Sequence, residues 1–415
     1  MKKIGLVLII SLVFSVFACT RQEKKDSSEG NIKIGAIYPL TGPVAAIGQN
    51  IKRGVDFAVA EINQKGGING RQIEIIYGDT EGSPQNGMSV AEKLITQDNV
   101  CALLGAYQSA VTEVVSQVAE RYQTPMLTAI STADQLTTHE YKYFFRLAPT
   151  NSIFLRSMIE YLVTIDKETS ANIKSISIVA DNTLMGQETA KWARHWAAQN
   201  NIEVKTEVLY AQGAADLTSE VISLKNSGAD ALVADCYISD GILLTKTMSE
   251  QGYRPAVMVG KATAFIDPTF IPNTGALSNG ISTGLEWSPD LTKGHEVNAG
   301  FKAQYGIDMN GHSAESYTAA WILKTAIENA GSTDRTAIRD ALKNTKIDRA
   351  FPGGNEIILP YDSISFDDVV WQGISHTNTN ANAIVALAQI QDGVLKTVWP
   401  YAYTNNRPVV PAPFR

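Results

Sequence analysis

Small hydroxyl side chains stand at two strand-to-helix turns, where they could bind an anion. One turn runs from Gly105 to Ser109, and the other contains Ile130, Ser131 and Thr132. A serine or threonine at the start of a helix lies beside backbone N–H groups that have no partner within the helix, which suits a carboxylate. Two such turns on neighbouring strands could share one anionic group of a ligand, although Ser and Thr are also ordinary helix caps.

The elements around these turns are short apolar strands that alternate with amphipathic helices. The alternation begins with a strand at 32–37 and a helix at 50–64, and a second set of strands and helices follows Pro149. Buried strands that alternate with helices predict βαβ crossovers and parallel sheets covered on both faces. We therefore predict an α/β protein with two doubly wound lobes and a ligand cleft beyond the carboxyl ends of their strands.

Composition argues against several classes of function. The chain has 415 residues with 35 Lys+Arg and 42 Asp+Glu, a net charge of −7. Nucleic-acid binding through phosphates needs a clustered excess of Lys and Arg, so no nucleic-acid partner is predicted. Three scattered cysteines and five histidines give neither a disulfide framework nor a Cys/His zinc spacing, and neither a metal nor a cofactor is predicted. Without a P-loop or an H-E-x-x-H motif, we predict a binding protein and not an enzyme.

The N-terminal segment predicts export and a lipid anchor. A positively charged start precedes an apolar stretch at 4–17, which is shorter than the roughly 20 residues that a spanning helix needs. The segment Val16-Phe17-Ala18-Cys19 resembles the cleavage box of bacterial lipoproteins, in which Cys19 becomes the acylated first residue. Ordinary signal cleavage, with Cys19 as a passive neighbour, is the alternative. We predict a signal peptide at 1–18, a lipidated polar tether at 19–30, and a periplasmic or cell-surface protein anchored in a membrane through Cys19.

Three motifs in the body of the chain resemble one protein family. They are the first strand and its turn at 34–45 (IGAIYPLTGPVA), the helix end at 59–68 (VAEINQKGGI) and the segment at 143–149 (YFFRLAP). Together they resemble the type I periplasmic binding proteins that serve branched-chain amino acid ABC importers. The resemblance runs from about Asn31 to the C-terminal strand.

This resemblance implies an architecture and a partner. Its members have two flavodoxin-like lobes that are joined by three crossovers, close on a small ligand, and deliver it to an ABC permease in the inner membrane. On that pattern, the N-terminal lobe comprises residues 31–148 with 286–360. The C-terminal lobe comprises 149–285 with 361–415.

The resemblance also carries ligand-binding positions onto the first lobe. Ser109 matches the serine that binds the ligand α-carboxylate. Ile130, Ser131 and Thr132 match a segment that contributes backbone groups and a threonine hydroxyl. Ile47 matches an aromatic residue that packs on the ligand side chain.

The positions on the second lobe give a mixed result. Tyr237 matches a tyrosine of the cleft, and Tyr107 of the first lobe could stack on a ligand or pack on its own lobe. Met185 stands where the family has an aromatic residue before glycine. Ala262 stands where leucine-type binders place an acid against the ligand ammonium, and an ammonium buried without a charged partner is costly.

The alanine at position 262 leaves the class of ligand open. Either another acid such as Asp235 or Glu286 replaces the missing carboxylate and the ligand is a branched-chain or related amino acid, or the ligand has no ammonium. An aromatic or keto acid, a short amide or urea, and a role as a ligand-sensing receptor domain are the alternatives. Lys261 would suit a second anionic group, or it lies at the solvated rim.

Overall fold

The computed structural model of the protein describes residues 30–291, 294–348 and 356–411. Cys19, the predicted signal peptide and nearly all of the predicted tether lie outside the described residues. Within these ranges, no helix combines the length and the hydropathy of a membrane span.

The chain alternates strands and helices along most of its length. The strands are β1 (Ile32–Tyr38), β2 (Ile73–Asp79), β3 (Ala102–Gly105), β4 (Met126–Thr128), β5 (Phe144–Arg146), β6 (Ser175–Asp181), β7 (Glu203–Tyr210), β8 (Ala231–Asp235), β9 (Val257–Lys261), β10 (Ile281–Leu285), β11 (Lys346–Asp348), β12 (Ser363–Ser365), β13 (Asp367–Trp371), β14 (Ile374–Thr379), β15 (Ala386–Gln391) and β16 (Val394–Trp399). The helices are α1 (Ala45–Gln64), α2 (Pro84–Thr96), α3 (Ser109–Arg121), α4 (Asn151–Thr169), α5 (Leu184–Gln199), α6 (Thr218–Ser227), α7 (Ile238–Glu250), α8 (Phe270–Thr274), α9 (His295–Tyr305), α10 (Gly311–Ala330) and α11 (Arg335–Lys343).

Two sheets of seven strands form the body of the protein. The first has the order β13-β14-β5-β4-β3-β1-β2, and the second has the order β16-β15-β10-β9-β8-β6-β7. The central strands of both sheets pair in parallel, and antiparallel pairing is confined to β13–β14, β10–β15 and β15–β16. The predicted fold class, two doubly wound α/β lobes, is confirmed. We call each sheet with its covering helices the first and the second lobe.

Packing assigns the late helices to the first lobe. α10 packs against α1, where the Ser316 hydroxyl donates to the Ile51 carbonyl oxygen at 3.0 Å. Phe301 of α9 meets Phe57 of α1 edge to face, with ring centroids 5.7 Å apart. These helices therefore bury their apolar faces on the first sheet, although the chain reaches them only after it has completed β10.

The prediction that residues 361–415 belong to the second lobe is wrong for its first part. β14 pairs with β5 through Thr379 and Arg146, so β13 and β14 extend the first sheet, and the chain enters the second sheet only at β15. Side chains fix this pairing. The Asn378 amide donates to the Phe144 carbonyl oxygen at 3.1 Å, and the Arg146 guanidinium donates to the Thr379 hydroxyl at 3.3 Å. Such pairing is not visible in the apolar pattern of a short polar strand.

A close approach of α5 to β6 depends on glycine. A Cβ atom on Gly186 would lie 2.0 Å from the carbonyl oxygen of Asp181, so no larger residue fits without a shift of the helix. This contact sets the start of α5 against the carboxyl end of β6. It places Met185, the preceding residue, at the edge where the two lobes meet.

Candidate ligand-binding site

A small cavity lies at the carboxyl ends of strands from both sheets. Ligands of open α/β sheets bind at this edge. Seven of the nine predicted ligand-binding residues line the cavity: Tyr107, Ser109, Ile130, Thr132, Met185, Tyr237 and Ala262. The other residues of the wall are Phe154, Lys261, Thr263, Glu286 and His312.

Ser109 is placed in the cavity by the turn between β3 and α3. It is the first residue of α3, and Gln108 occupies the cap position without a side-chain cap hydrogen bond. The interpretation of Ser109 as an N-cap is therefore wrong by one residue. Its hydroxyl oxygen accepts only a long hydrogen bond, 3.4 Å, from the backbone N–H of Ala133. The Ser109 hydroxyl proton is thus available to a ligand.

Two of the predicted residues do not line the cavity. The Ser131 hydroxyl lies 3.1 Å from the carbonyl oxygens of Ala106 and Tyr107 and 2.5 Å from the Thr112 hydroxyl, so it ties two turns of the first lobe together. Ile47 is 1% exposed and belongs to the apolar core of the first lobe. The structure gives both residues a packing role instead of a position at the wall.

A buried lysine connects the two lobes at Thr132. Lys261, at the end of β9, is 1% exposed, and its Nζ donates to Thr132 Oγ1 at 2.9 Å. The Thr132 hydroxyl in turn donates to Asn151 Oδ1 at 2.7 Å. Lys261 is therefore a wall residue of the cavity and not a solvated rim residue. It brings a positive charge within 3 Å of the predicted carboxylate subsite.

Asp235 at the end of β8 already has partners for both carboxylate oxygens. Its Oδ2 accepts from Thr189 at 2.5 Å and lies 3.5 Å from Lys261 Nζ, and its Oδ1 lies 3.5 Å from the Thr263 hydroxyl. The aspartate side chain is fully buried. Its charge therefore balances that of Lys261 and is not free for a ligand ammonium.

Aromatic rings close the cavity from both lobes. Tyr107 of the first lobe meets Tyr237 of the second edge to face, with ring centroids 6.0 Å apart. Burial raises the pKa of both phenols well above the ordinary value, so both remain neutral donors. Tyr237 precedes α7, as expected from its position after β8.

Three buried titratable side chains form a group near Lys261. Glu286 follows β10, and His312 and Glu315 lie in the first turns of α10. Burial raises the pKa of Glu286 to about 7, against the opposing effect of the Lys261 charge, and raises that of Glu315 well above its usual range. Burial, assisted by the charge of Lys261, lowers the pKa of His312 to about 3. All three side chains therefore favour their neutral forms.

A serine pattern elsewhere does not form a nucleophile site. Residues 280–284 spell G-x-S-x-G, but Ser282 lies within β10, and its hydroxyl is 3.0 Å from that of Tyr161 in the buried core. A nucleophile elbow needs the serine exposed on a strand-to-helix turn. Cys101 and Cys236 are both buried and free, on different lobes.

Comparison with known proteins identifies the family. A family model described as periplasmic binding protein matches residues 31–364. The chain belongs to this family. Leu/Ile/Val-binding protein homolog 7 of Brucella suis is 27% identical to it over 393 residues, covering 90% of this chain and 93% of the relative. Homolog 8 of Brucella abortus is 27% identical over 410 residues, covering 96% and 95% of the two chains.

Solved structures share the fold of this periplasmic binding protein. A leucine-binding protein from Thermotoga maritima has a TM-score of 0.74 at 20% identity and covers 89% of this chain and 98% of its own. A solute-binding protein from R. palustris in complex with benzoate has a TM-score of 0.75 at 18% identity and covers 92% and 97%. The predicted membership of the type I proteins of branched-chain amino acid ABC importers is confirmed.

This membership fixes the general function. The chain is an exported solute-binding protein of the ABC-transporter class, which binds a small molecule for delivery to a permease, and it is not an enzyme. Of the wall residues outside the predicted site, Lys261 and Glu286 were raised from the sequence only as alternatives, whereas His312 was missed. The sequence signal of the first two is their position at or just after the end of an apolar strand.

Proposed function

We propose that this periplasmic binding protein captures a small carboxylate-bearing molecule between its lobes and that Cys19 anchors it to the membrane by a lipid. The proximity of Lys261 Nζ to Thr132 Oγ1 carries the proposal about the ligand, because a cation of one lobe and a hydroxyl of the other meet at 2.9 Å. A carboxylate held by Ser109, Thr132 and Lys261 would contact both lobes. Such a ligand binds the closed form better than the open form and so drives closure.

We further propose that the ligand carries no ammonium near this subsite. The wall has Ala262 where an acid would be needed, Lys261 is beside it, and Asp235 is already paired. A ligand ammonium near Lys261 would add a like charge in a buried site. The benzoate complex of R. palustris is an example of this fold with an acid that lacks an amino group.

An amino acid is the second candidate ligand, and Glu286 favours it. Glu286 lines the cavity, and neither of its carboxylate oxygens has a hydrogen-bond partner among the described residues. It could take the ammonium of leucine, isoleucine or valine in place of the missing acid.

A thermal-shift screen of the mature protein, unfolded and refolded to remove carried-over ligand, distinguishes the two classes. The panel pairs leucine, isoleucine and valine with their keto and hydroxy acids, and adds benzoate, short amides and urea. A ligand that binds the native state raises the melting temperature. We expect shifts with acids that lack the amino group. Shifts confined to amino acids would favour the Glu286 alternative, and shifts confined to amides or urea would contradict a carboxylate ligand.

The lipid anchor has a separate test. Wild-type protein should label with a fatty-acid probe in the producing bacterium and partition with membranes, whereas Cys19→Ser should do neither. Unchanged membrane partition of Cys19→Ser would refute the anchor and leave the ligand proposal untouched.

A further inference from the structure

Three buried side chains from two distant segments converge beside the cavity. Glu286 follows β10, while His312 and Glu315 are three residues apart and share one face of α10. The exposed fractions are 0%, 3% and 0%, respectively. One ligand atom of each side chain lies within 4.8 Å of the others. Small side-chain shifts would bring the three atoms to one ion, because bonds from zinc to nitrogen and oxygen are about 2.0–2.2 Å long.

With both carboxyl groups ionised, this group offers acceptor atoms that lack donors. The contact within the group joins His312 Nδ1 to Glu315 Oε2 at 3.1 Å. When Nδ1–H donates to this carboxylate, Nε2 carries a lone pair. His312 Nε2, Glu315 Oε1 and both oxygens of Glu286 have no partner among the described residues. Buried acceptors without a donor are costly, and a cation bound to one atom of each side chain would satisfy three of these four atoms.

The charges around the three side chains also favour a bound cation. Lys261 lies close to Glu286, but its charge is balanced by Asp235 and its Nζ is bonded to Thr132. Two carboxylates and a neutral imidazole would balance the charge of one divalent ion.

We propose that Glu286, His312 and Glu315 form a binding site for a divalent transition-metal ion of the zinc type, with an open coordination position toward the ligand cavity. One imidazole nitrogen and two carboxylate oxygens are ligands that zinc accepts, whereas calcium and magnesium prefer oxygen ligands alone. Three protein ligands leave a fourth position open. That position faces the cavity, because Glu286 and His312 line it while Glu315 does not.

This site was not expected from the sequence, because the prediction of no metal rested on Cys/His spacing. His312 and Glu315 have a ligand spacing that is common on helices, but Glu286 joins them only through the fold. The inference rests on the proposed ligand without an ammonium, because an amino acid bound through Glu286 would compete with the ion for that carboxylate.

The test is calorimetric titration of Zn²⁺ into untagged, chelator-treated mature protein, with Mg²⁺ and Ca²⁺ as comparison ions. We expect one equivalent of Zn²⁺ to bind and the other two ions to bind far more weakly. Loss of an outer-shell partner alone costs about 10- to 100-fold in metal affinity, so Glu315→Gln and His312→Gln should each lower the Zn²⁺ affinity by at least about 100-fold.

A matched control is available in the first lobe. His139 Nε2 lies 2.8 Å from Glu113 Oε1, but no third ligand joins this pair in the part of the chain that the structure describes. His139→Gln should therefore leave Zn²⁺ binding unchanged. The thermal unfolding of each variant establishes that it is folded. If the Glu315 or His312 variant does not fold, the visible absorption of Co²⁺ bound to wild-type protein reports a site of low coordination number without any substitution.

Several outcomes would overturn the proposal. They are the absence of Zn²⁺ binding by folded wild-type protein, Zn²⁺ binding that survives both Glu315→Gln and His312→Gln, and Co²⁺ absorption identical to that of the hydrated ion. Another such outcome is a protein that takes up no Zn²⁺ and binds amino acids in a manner that depends on Glu286. That result would assign Glu286 to the ligand ammonium. Each of these results leaves the carboxylate proposal standing, because that rests on Ser109 and Lys261.

Discussion

At the scale of single residues, the balance of charge around Lys261 decides what the cavity can hold. A fully buried ammonium is stable only with a partner, and Lys261 has Asp235 and the Thr132 hydroxyl. Ala262 beside it has a positive φ of 21°, so the turn after β9 presents a small side chain to the cavity. The wall therefore offers a donor, Lys261, beside the position where the family resemblance predicts an acid.

Lys261→Met should weaken binding of a carboxylate ligand and also lower the free energy of unfolding, because it leaves Asp235 buried without its counter-ion. Breaking a buried pair costs about 3–5 kcal/mol. The double variant Lys261→Met/Asp235→Asn should regain much of the stability but not the affinity. Calorimetry and urea unfolding measure the two effects, and Lys302→Met, at an exposed ion pair, is the control. Recovery of affinity in the double variant would remove Lys261 from the site.

Ser109→Ala should weaken ligand binding by about 1–3 kcal/mol, because a hydrogen bond to a charged group is lost. Stability should change little, since the one contact of this hydroxyl among the described residues is the long one to Ala133. Ser116→Ala, a buried serine of the same helix whose hydroxyl bonds the Glu113 carbonyl oxygen at 2.9 Å, is the matched control. Equal affinity of the two variants for the ligand would show that Ser109 is not part of the site.

At the scale of elements, one helix holds the lobes together beside the cavity. Glu188 of α5, in the second lobe, accepts the backbone N–H groups of Asp134 and Gln135 at the start of a short 3-10 helix in the first lobe. Burial, with the neighbouring Glu188 charge, raises the pKa of Asp134 to about 7. The contact joins the two lobes without touching the ligand cavity.

Glu188→Gln should therefore weaken ligand binding without removing a ligand contact. The closed form loses charge-assisted hydrogen bonds, each worth about 1.5–3 kcal/mol, and the apparent affinity falls with the population of that form. Solution scattering should show a larger radius of gyration at the same ligand concentration. Glu203→Gln on an exposed strand edge is the control. A fall in affinity would contradict a role in closure if the radius of gyration of Glu188→Gln equals that of wild type at every ligand concentration, saturating or lower.

At the scale of the whole molecule, buried titratable groups make stability depend on pH. His376 on β14 is 1% exposed, and its Nδ1 lies 2.9 Å from the Thr137 hydroxyl. Burial, with the positive charges of Arg146 and Lys191, lowers its pKa to about 4. In the unfolded chain, His376 takes up a proton near the ordinary pKa of 6.5. In the folded chain, it takes up this proton only near pH 4.

This group should therefore reduce the free energy of unfolding as the pH falls from about 6.5 to about 4. His376→Gln should flatten the dependence in that window. Asp134 has the opposite effect, because its raised pKa stabilises the folded state as the pH falls below about 7. The informative quantity is therefore the difference in the free energy of unfolding between His376→Gln and wild type at each pH. Urea unfolding of both proteins at pH 7, 6, 5 and 4.5 measures this difference. Parallel curves for the two proteins would contradict the assignment.

The sequence by itself determined the elements and the family. Apolar strands, amphipathic helices and their turns are local patterns, so two α/β lobes followed from them. The strand-to-helix turns marked Ser109 and Thr132, and the family resemblance marked Tyr237. These residues stand within a few positions of a strand end, where the chain has little freedom to place them elsewhere. The polar strand β14 had no such signal, and its sheet was assigned wrongly.

Only the tertiary structure decided which side chains meet. Lys261 and Thr132 are 129 residues apart, and Glu286 joins His312 and Glu315 from another segment. Ser131 and Thr132 are neighbours in sequence, yet one ties two turns together and the other faces the cavity. The reason is physical: contacts across the lobes depend on how the sheets pack and where each side chain points, and spacing along the chain fixes neither.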